Sequence, residues 1–129
     1  MLPFERLTSR IIAASFRVHN SIGAGYLEHV YRNSLALEIA KEGLRCRTEV
    51  ALRVKYGGIN VGTCFADLIV EDTVVVETKA QEAILPGHLA QLRACLRCSG
   101  HEAGLVINFG PVRVNLRRED ETPAARKSG

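Results

Sequence analysis

Asp67 lies within the apolar run Phe65-Ala66-Asp67-Leu68-Ile69-Val70, and Glu77 and Lys79 close the next one, Val74-Val75-Val76-Glu77-Thr78-Lys79. Side chains i and i+2 share a face of a strand, so Glu77 and Lys79 point one way and Thr78 the other. Asp67 joins them only if it lies opposite Glu77, which pairs Val70 with Val74 and leaves Glu71, Asp72 and Thr73 as a three-residue hairpin loop. A two-residue loop would pair Asp67 with Val76 and send the carboxylates to opposite faces. Two carboxylates and an ammonium at the end of apolar strands carry a large desolvation cost unless something compensates them. A divalent cation does so. Oxygen ligands from Asp67 and Glu77, with the Thr78 backbone carbonyl and waters, suit Mg²⁺ or Mn²⁺ rather than zinc. Lys79 would then orient a water and stabilise charge developing during attack on phosphorus. The bland alternative is a half-exposed Glu and Lys pair on an edge strand, nearly neutral in energy. Val74-Val75-Val76 argues against it, because a strand apolar on both sides is central and covered by helices.

The remaining pattern supplies those helices. Ile11, Ile12, Ala14 and Val18 keep a helical period over Thr8 to Asn20, with Thr8 or Ser9 as a cap. Gly23 and Gly25 interrupt it, and Leu27, Val30, Tyr31, Leu35 and Ile39 restart the period from Tyr26 to Glu42, before a stop at Gly43. Thr48 to Tyr56, Ile59 to Val70 and Thr73 to Lys79 read as an antiparallel meander. A third helix starts at Pro86 and ends at Ser99-Gly100. Ala103 to Asn108 is a fourth strand, with Asn108, Phe109 and Gly110 as the turn after it, and Val112 to Leu116 a fifth. Residues 1–116 form the domain, and Arg117 to Gly129, polar and containing Pro123, is expected to be a disordered tail. The order α-α-β-β-β-α-β-(β) implies an α/β sandwich with a mixed sheet flanked by helices.

Composition limits the function classes. At 129 residues the chain holds one domain, and 17 basic against 14 acidic residues leave an excess too small to define a partner. Three Tyr, four Phe and no Trp supply a base-stacking platform poorly. The absence of a bilayer-length apolar run or a leader-like start points to a cytoplasmic protein, not a membrane one, with its cysteines reduced. Cys95 and Cys98 form a lone CxxC inside a helix, where packing is a better account than zinc.

Asp67 followed by Glu77-x-Lys79 resembles the signature of the PD-(D/E)XK nuclease superfamily. Gly23-Ala-Gly25-Tyr-Leu-Glu28-His-Val-Tyr31, Pro86-Gly-His88-Leu-Ala-Gln91 and Leu105-Val-Ile-Asn108-Phe109-Gly110 resemble segments of its small GxxExxxxY branch, in the same order. Ala66 stands where the superfamily name has proline, and Cys95 where a tyrosine is common. The resemblance implies a restriction-endonuclease-like fold in which Asp67 and Glu77 bind metal and Lys79 is the catalytic lysine. It also implies that Glu28 faces the metal as a further ligand and that Gln91 sits at the active-site edge. Without it, Glu28 reads equally well as an exposed acid paired with Arg32. Arg93 and Arg97 lie one turn apart on the third helix, where a solvated face is the default and phosphate contact the alternative.

The implied activity is Mg²⁺- or Mn²⁺-dependent hydrolysis of nucleic acid, DNA above all, leaving a 5′-phosphate and a 3′-hydroxyl. The competing expectation is a non-catalytic module that keeps the fold to bind nucleic acid or a protein. A homodimer would suit a small nuclease that must cut two strands.

Overall fold

The computed structural model describes residues 4–121, arranged as α1 (Glu5–Ile22), α2 (Glu28–Lys41), β1 (Cys46–Tyr56), β2 (Ile59–Val70), β3 (Val74–Lys79), α3 (Pro86–Ser99), β4 (Ala103–Asn108) and β5 (Asn115–Asp120). One mixed sheet runs in the order β1-β2-β3-β4-β5, with β3 and β4 parallel and the other neighbours antiparallel. Helix α3 makes the crossover between the parallel pair, which needs such a connection. The α/β sandwich anticipated from the element order is the observed fold. The hairpin register is also the anticipated one, with Val70 opposite Val74 and Glu71 to Thr73 as the loop.

Helices cover both faces. Val74 and Val76 join Ile11, Tyr31, Leu35 and Ile39 beneath α1 and α2. Val75 and Val106 join Leu92, Cys95 and Leu96 beneath α3. Every residue of β3 from Val74 to Thr78 is buried. Each fully buried Val, Leu or Ile contributes roughly 1.5–3 kcal/mol. Gly104 lets α3 sit down on β4, since a Cβ there would fall 2.7 Å from the Leu92 side chain.

The outer arm of the β1–β2 hairpin departs from plain alternation. Leu68 and Val70 face α1 and α2, whereas Ala66, of the same parity, packs under α3 with Val50 and Leu52. The change falls at Glu49, whose φ of 49° is left-handed, between the Thr48–Leu68 and Val50–Ala66 pairs. One residue in that conformation re-aims a strand as a bulge does. The arm therefore leans toward α3.

Most element boundaries move by one or two residues, and the start of α1 and the fifth strand move further. Helix α1 begins at Glu5, so Thr8 lies in the first turn, where its hydroxyl donates to the Glu5 carbonyl. The fifth strand is Asn115–Asp120 rather than Val112 to Leu116, so Arg117 to Asp120, assigned to the tail, belong to the sheet. Its charged side chains are tied down from both faces: Glu119 pairs with Arg93 of α3, and Arg118 donates to Thr8 of α1. The rest of the expected tail, 122–129, lies outside the described residues.

The end of β4 fixes the segment that leaves β3. Asn108 is fully buried; its Oδ1 accepts from the Gln81 and Gly110 N–H groups and its Nδ2 donates to the Gln81 carbonyl. The chain passes so close here that a Cβ on Gly110 would lie 2.1 Å from the Gln81 carbonyl oxygen. Asn108→Ala leaves three backbone groups without their partner. It should cost on the order of 3 kcal/mol, read as a lower midpoint in denaturant with an unchanged slope.

Candidate active site

The β2–β3 ladder ends at the Leu68–Val76 pair, and beyond it β2 swings away with its hairpin arm. The Thr78 amide would be left without a partner on that side. Asp67 replaces the missing strand: its Oδ2 accepts from the Thr78 N–H at 2.8 Å and from the Thr78 hydroxyl at 3.0 Å. An aspartate two bonds deep in backbone and hydroxyl contacts has a fixed orientation. Its Oδ1 takes part in neither bond. Because N–H and C=O of one strand residue point to the same side, the Thr78 carbonyl also faces the gap that β2 leaves.

Glu77 shares the α3 face of β3 with Val75 and is 2% exposed. Its Oε1 is buried and has no hydrogen-bond partner. Burial pushes its carboxyl up to about 8; the charge of Asp67 adds to the rise, and the Cys95 thiol and Lys79 oppose it. A carboxylate at this position is unstable without a further cation.

Lys79, on the same face, donates from Nζ to Gln91 Oε1 of α3 at 3.3 Å. Glu28 is the first residue of α2 and half-buried. Burial raises its carboxyl above the usual range; Lys79 acts against this, Asp67 adds to it, and His88 and Arg32 act against it. The alternative Glu28–Arg32 ion pair does not form, since Arg32 is engaged by Glu49 at 3.3 Å. Glu28 therefore belongs electrostatically to the Asp67, Lys79 and His88 group.

Two supports were not anticipated. The Tyr31 hydroxyl donates to the Gly23 carbonyl at 2.6 Å and accepts from the Tyr26 N–H at 3.3 Å, closing the loop before Glu28. The Tyr31 ring stacks on Phe109 with centroids 4.8 Å apart, which ties that loop to the end of β4. The Thr78 hydroxyl, expected only to face away, is a second anchor for Asp67. A polar residue ending an apolar strand before an aromatic and a glycine, as in Asn108-Phe109-Gly110, is the one sequence signal for the β4 clamp. His88 serves its own helix: its Nδ1 accepts the Leu85 N–H at 3.0 Å.

The thiols pack together, with Cys64 and Cys95 Sγ atoms 3.8 Å apart. Among the described residues no group of three or more His, Cys, Asp and Glu side chains forms a metal-binding cluster. A cage of side chains is thus absent, and the donor set is sparse: Asp67 Oδ1, the unpaired Glu77 Oε1 and the Thr78 carbonyl. Such a set fits a hard cation that keeps most of its waters.

Comparison with solved structures bears on the fold. The crystal structure of SSO0001 superposes with a TM-score of 0.56 at 21% identity, covering 92% of this chain and 60% of that one. The alkaline exonuclease LHK-Exo from Laribacter hongkongensis gives 0.58 at 12% identity, with coverage of 99% and 76%. The complex of LHK-Exo with dAMP gives 0.53 at 15%, with coverage of 94% and 86%. These identities show a shared fold, and the chain spans 60% of the first structure's length. No curated protein matches. No helix among the described residues is long and apolar enough to cross a membrane. The sequence model of the PD-(D/E)XK nuclease superfamily matches residues 5–119, nearly the whole described chain, and the protein belongs to that superfamily.

Proposed function

We propose that the protein is a divalent-metal-dependent nuclease that hydrolyses phosphodiester bonds of DNA. One observation carries the reading: a buried Glu77 carboxylate with an unpaired oxygen beside an Asp67 that is itself held in place by Thr78. A surface ion pair would need neither feature, and a binding module would not benefit from carboxylates turned toward phosphate. Asp67, Glu77 and the Thr78 carbonyl would hold Mg²⁺ or Mn²⁺, with Glu28 as a further ligand directly or through water. The bound ion would polarise the scissile phosphate and acidify the attacking water.

Lys79 orients that water and offsets negative charge as the O–P bond forms and the bond to the 3′-oxygen breaks. Gln91 limits where Lys79 Nζ can go by accepting its hydrogen bond. The products carry a 5′-phosphate and a 3′-hydroxyl. We assign the chain to the GxxExxxxY branch on its Gly25-x-x-Glu28 segment, a reading supported by the Tyr31 bonds that close the loop before Glu28. A homodimer carrying two such sites would cut both strands.

Asp67→Ala and Lys79→Ala should each lower Mg²⁺-dependent cleavage by about 10²–10³-fold or more, and Gln91→Ala by about 10-fold. Unchanged cleavage by the Asp67 or Lys79 variant would remove the assignment. A panel of single-stranded, duplex and branched DNA and of RNA, scored by gel, provides the readout.

Glu77 also sets a pH dependence. With a folded value of about 8 against 4.5, the metal-free folded state keeps a proton that the unfolded chain releases. That contribution to stability is fully present below pH 4.5 and is lost as pH rises through about 8, on the order of 5 kcal/mol in all. Urea titrations without metal should show this fall, and Glu77→Gln should flatten it and be the more stable protein at pH 8. Mn²⁺ should restore wild-type stability at that pH and leave Glu77→Gln unmoved.

A further inference from the structure

Helix α3 presents a stripe of side chains to the site. His88, Gln91 and Cys95, spaced i, i+3 and i+7, lie along one side of it. A crossover helix runs antiparallel to the strands it joins, so from Cys95 to His88 the stripe advances toward the carboxyl end of β3 and past it. Cys95 interacts with Glu77, and Gln91 accepts from Lys79 Nζ at 3.3 Å. His88 stands about 4.5 Å farther along the helix axis than Gln91. There, half-buried, it comes within electrostatic reach of Glu28.

His88 carries a donor that its own helix does not use. A backbone N–H can only donate, so the 3.0 Å bond from the Leu85 N–H makes Nδ1 an acceptor and places the ring's proton on Nε2. This reach back from the third helical residue to the residue before the helix is the part usually played by Glu or Gln. A glutamate would close the bond equally well and offer no donor; the imidazole adds an N–H on its other edge. Among the described residues Nε2 meets no acceptor, and Glu28, although within electrostatic reach, is not bonded to it.

We propose that His88 is a further substrate-contacting residue, donating from Nε2 to a non-bridging oxygen of the phosphate being cleaved. The proposal rests on the nuclease reading, which brings a phosphate, all of whose oxygens accept, to the end of β3 beside Lys79. The roles then divide along the stripe. The Lys79 ammonium, limited by Gln91, serves the attacking water, and the imidazole serves an oxygen that gains negative charge as the O–P bond forms. The ring transfers no proton in this role.

His88→Asn separates the two nitrogens, because Asn Oδ1 is as far from Cβ as Nδ1 and still accepts the Leu85 N–H, whereas nothing replaces Nε2. His88→Gln carries an amide nitrogen as far from Cβ as Nε2. Cleavage of a fluorescent single strand and of a duplex is measured in Mg²⁺, Mn²⁺ affinity by calorimetry and stability in urea. His88→Asn should lower kcat/KM by about 10–100-fold, the loss of one hydrogen bond to a charged group, while its Mn²⁺ affinity and urea midpoint stay those of wild type. His88→Gln should recover most of that loss.

His88→Asn at wild-type rates overturns the contact and leaves the metal-site reading standing. A loss matched by weaker Mn²⁺ binding also overturns it, since His88 would then act through Glu28. Where His88→Asn lowers the urea midpoint, His88→Gln against His88→Ala decides: cleavage about 10-fold faster in the former supports the contact, and equal rates overturn it. A wild type that cleaves neither substrate overturns the catalytic reading, and strand binding followed by anisotropy in Ca²⁺ then judges His88. Weaker binding by His88→Asn supports the contact, equal binding overturns it, and a wild type that does not bind overturns both readings.

Discussion

The structure turns on an uncompensated carboxylate, that of Glu77. The crossover from β3 through α3 to β4 leaves β3 covered on both faces, and burial follows for its side chains from Val74 to Thr78. Hydrophobic residues gain from that position for three positions in a row; the fourth is an acid. Its unpaired oxygen is costly enough to raise its proton affinity well above that of an ordinary glutamate. The fold accepts this at one place, the carboxyl end of a central parallel strand. Open α/β sheets place ligands there because neighbouring strands diverge and leave room.

Divergence needs its own compensation, and Asp67 provides it. When β2 leaves the ladder after Leu68, one side of Thr78 loses its partner strand. A carboxylate accepting a backbone N–H and a hydroxyl restores what a strand carbonyl would have given, and charge-assisted bonds of this kind are stronger than the ladder bonds they replace. The same contact fixes the direction of Asp67's other oxygen. Stability and chemistry are therefore linked through one side chain. The supports lie farther out: Asn108 holds the segment after Lys79, and the Tyr31–Phe109 stack sets the start of α2 and hence Glu28. None of these outer residues needs to touch a substrate to matter, because a ligand set this sparse depends on its members being held in place.

The parts of this arrangement visible in the sequence are those governed by short-range rules. A loop of Glu71 to Thr73 sets the register and so the pairing of the two carboxylate-bearing strands. Three consecutive valines identify a central strand because an edge strand alternates. β5 was legible only in part: its alternation is of charges, held by Arg93 and Thr8 from remote helices, and nothing local distinguishes that from a solvated tail. The face change of the hairpin arm was not legible at all, since it depends on a left-handed Glu49, a residue type with no preference for that conformation. Glu28 was undecided for a related reason. Whether it meets Arg32 or the metal site depends on Arg32 being drawn away by Glu49, a contact across two elements.

That last contact joins the arm to the site. Glu49 is both the point where β1 changes face and the partner that occupies Arg32. If the arm kept its plain alternation, Val50 and Leu52 would point away from α3, and Arg32 would be free to meet Glu28 at i+4. Glu28 would then be neutralised on its own helix rather than by a cation at the strand end. A net charge of only +3 is misleading in such a molecule. What a polyanion meets is the local field, and the fold engages Arg17, Arg32, Arg45 and Arg93 with glutamates. Asp67 and Glu77 stand together where a bound cation would neutralise them. The sign of the surface toward a phosphate backbone is thus set by which charges the fold pairs, not by how many the chain contains.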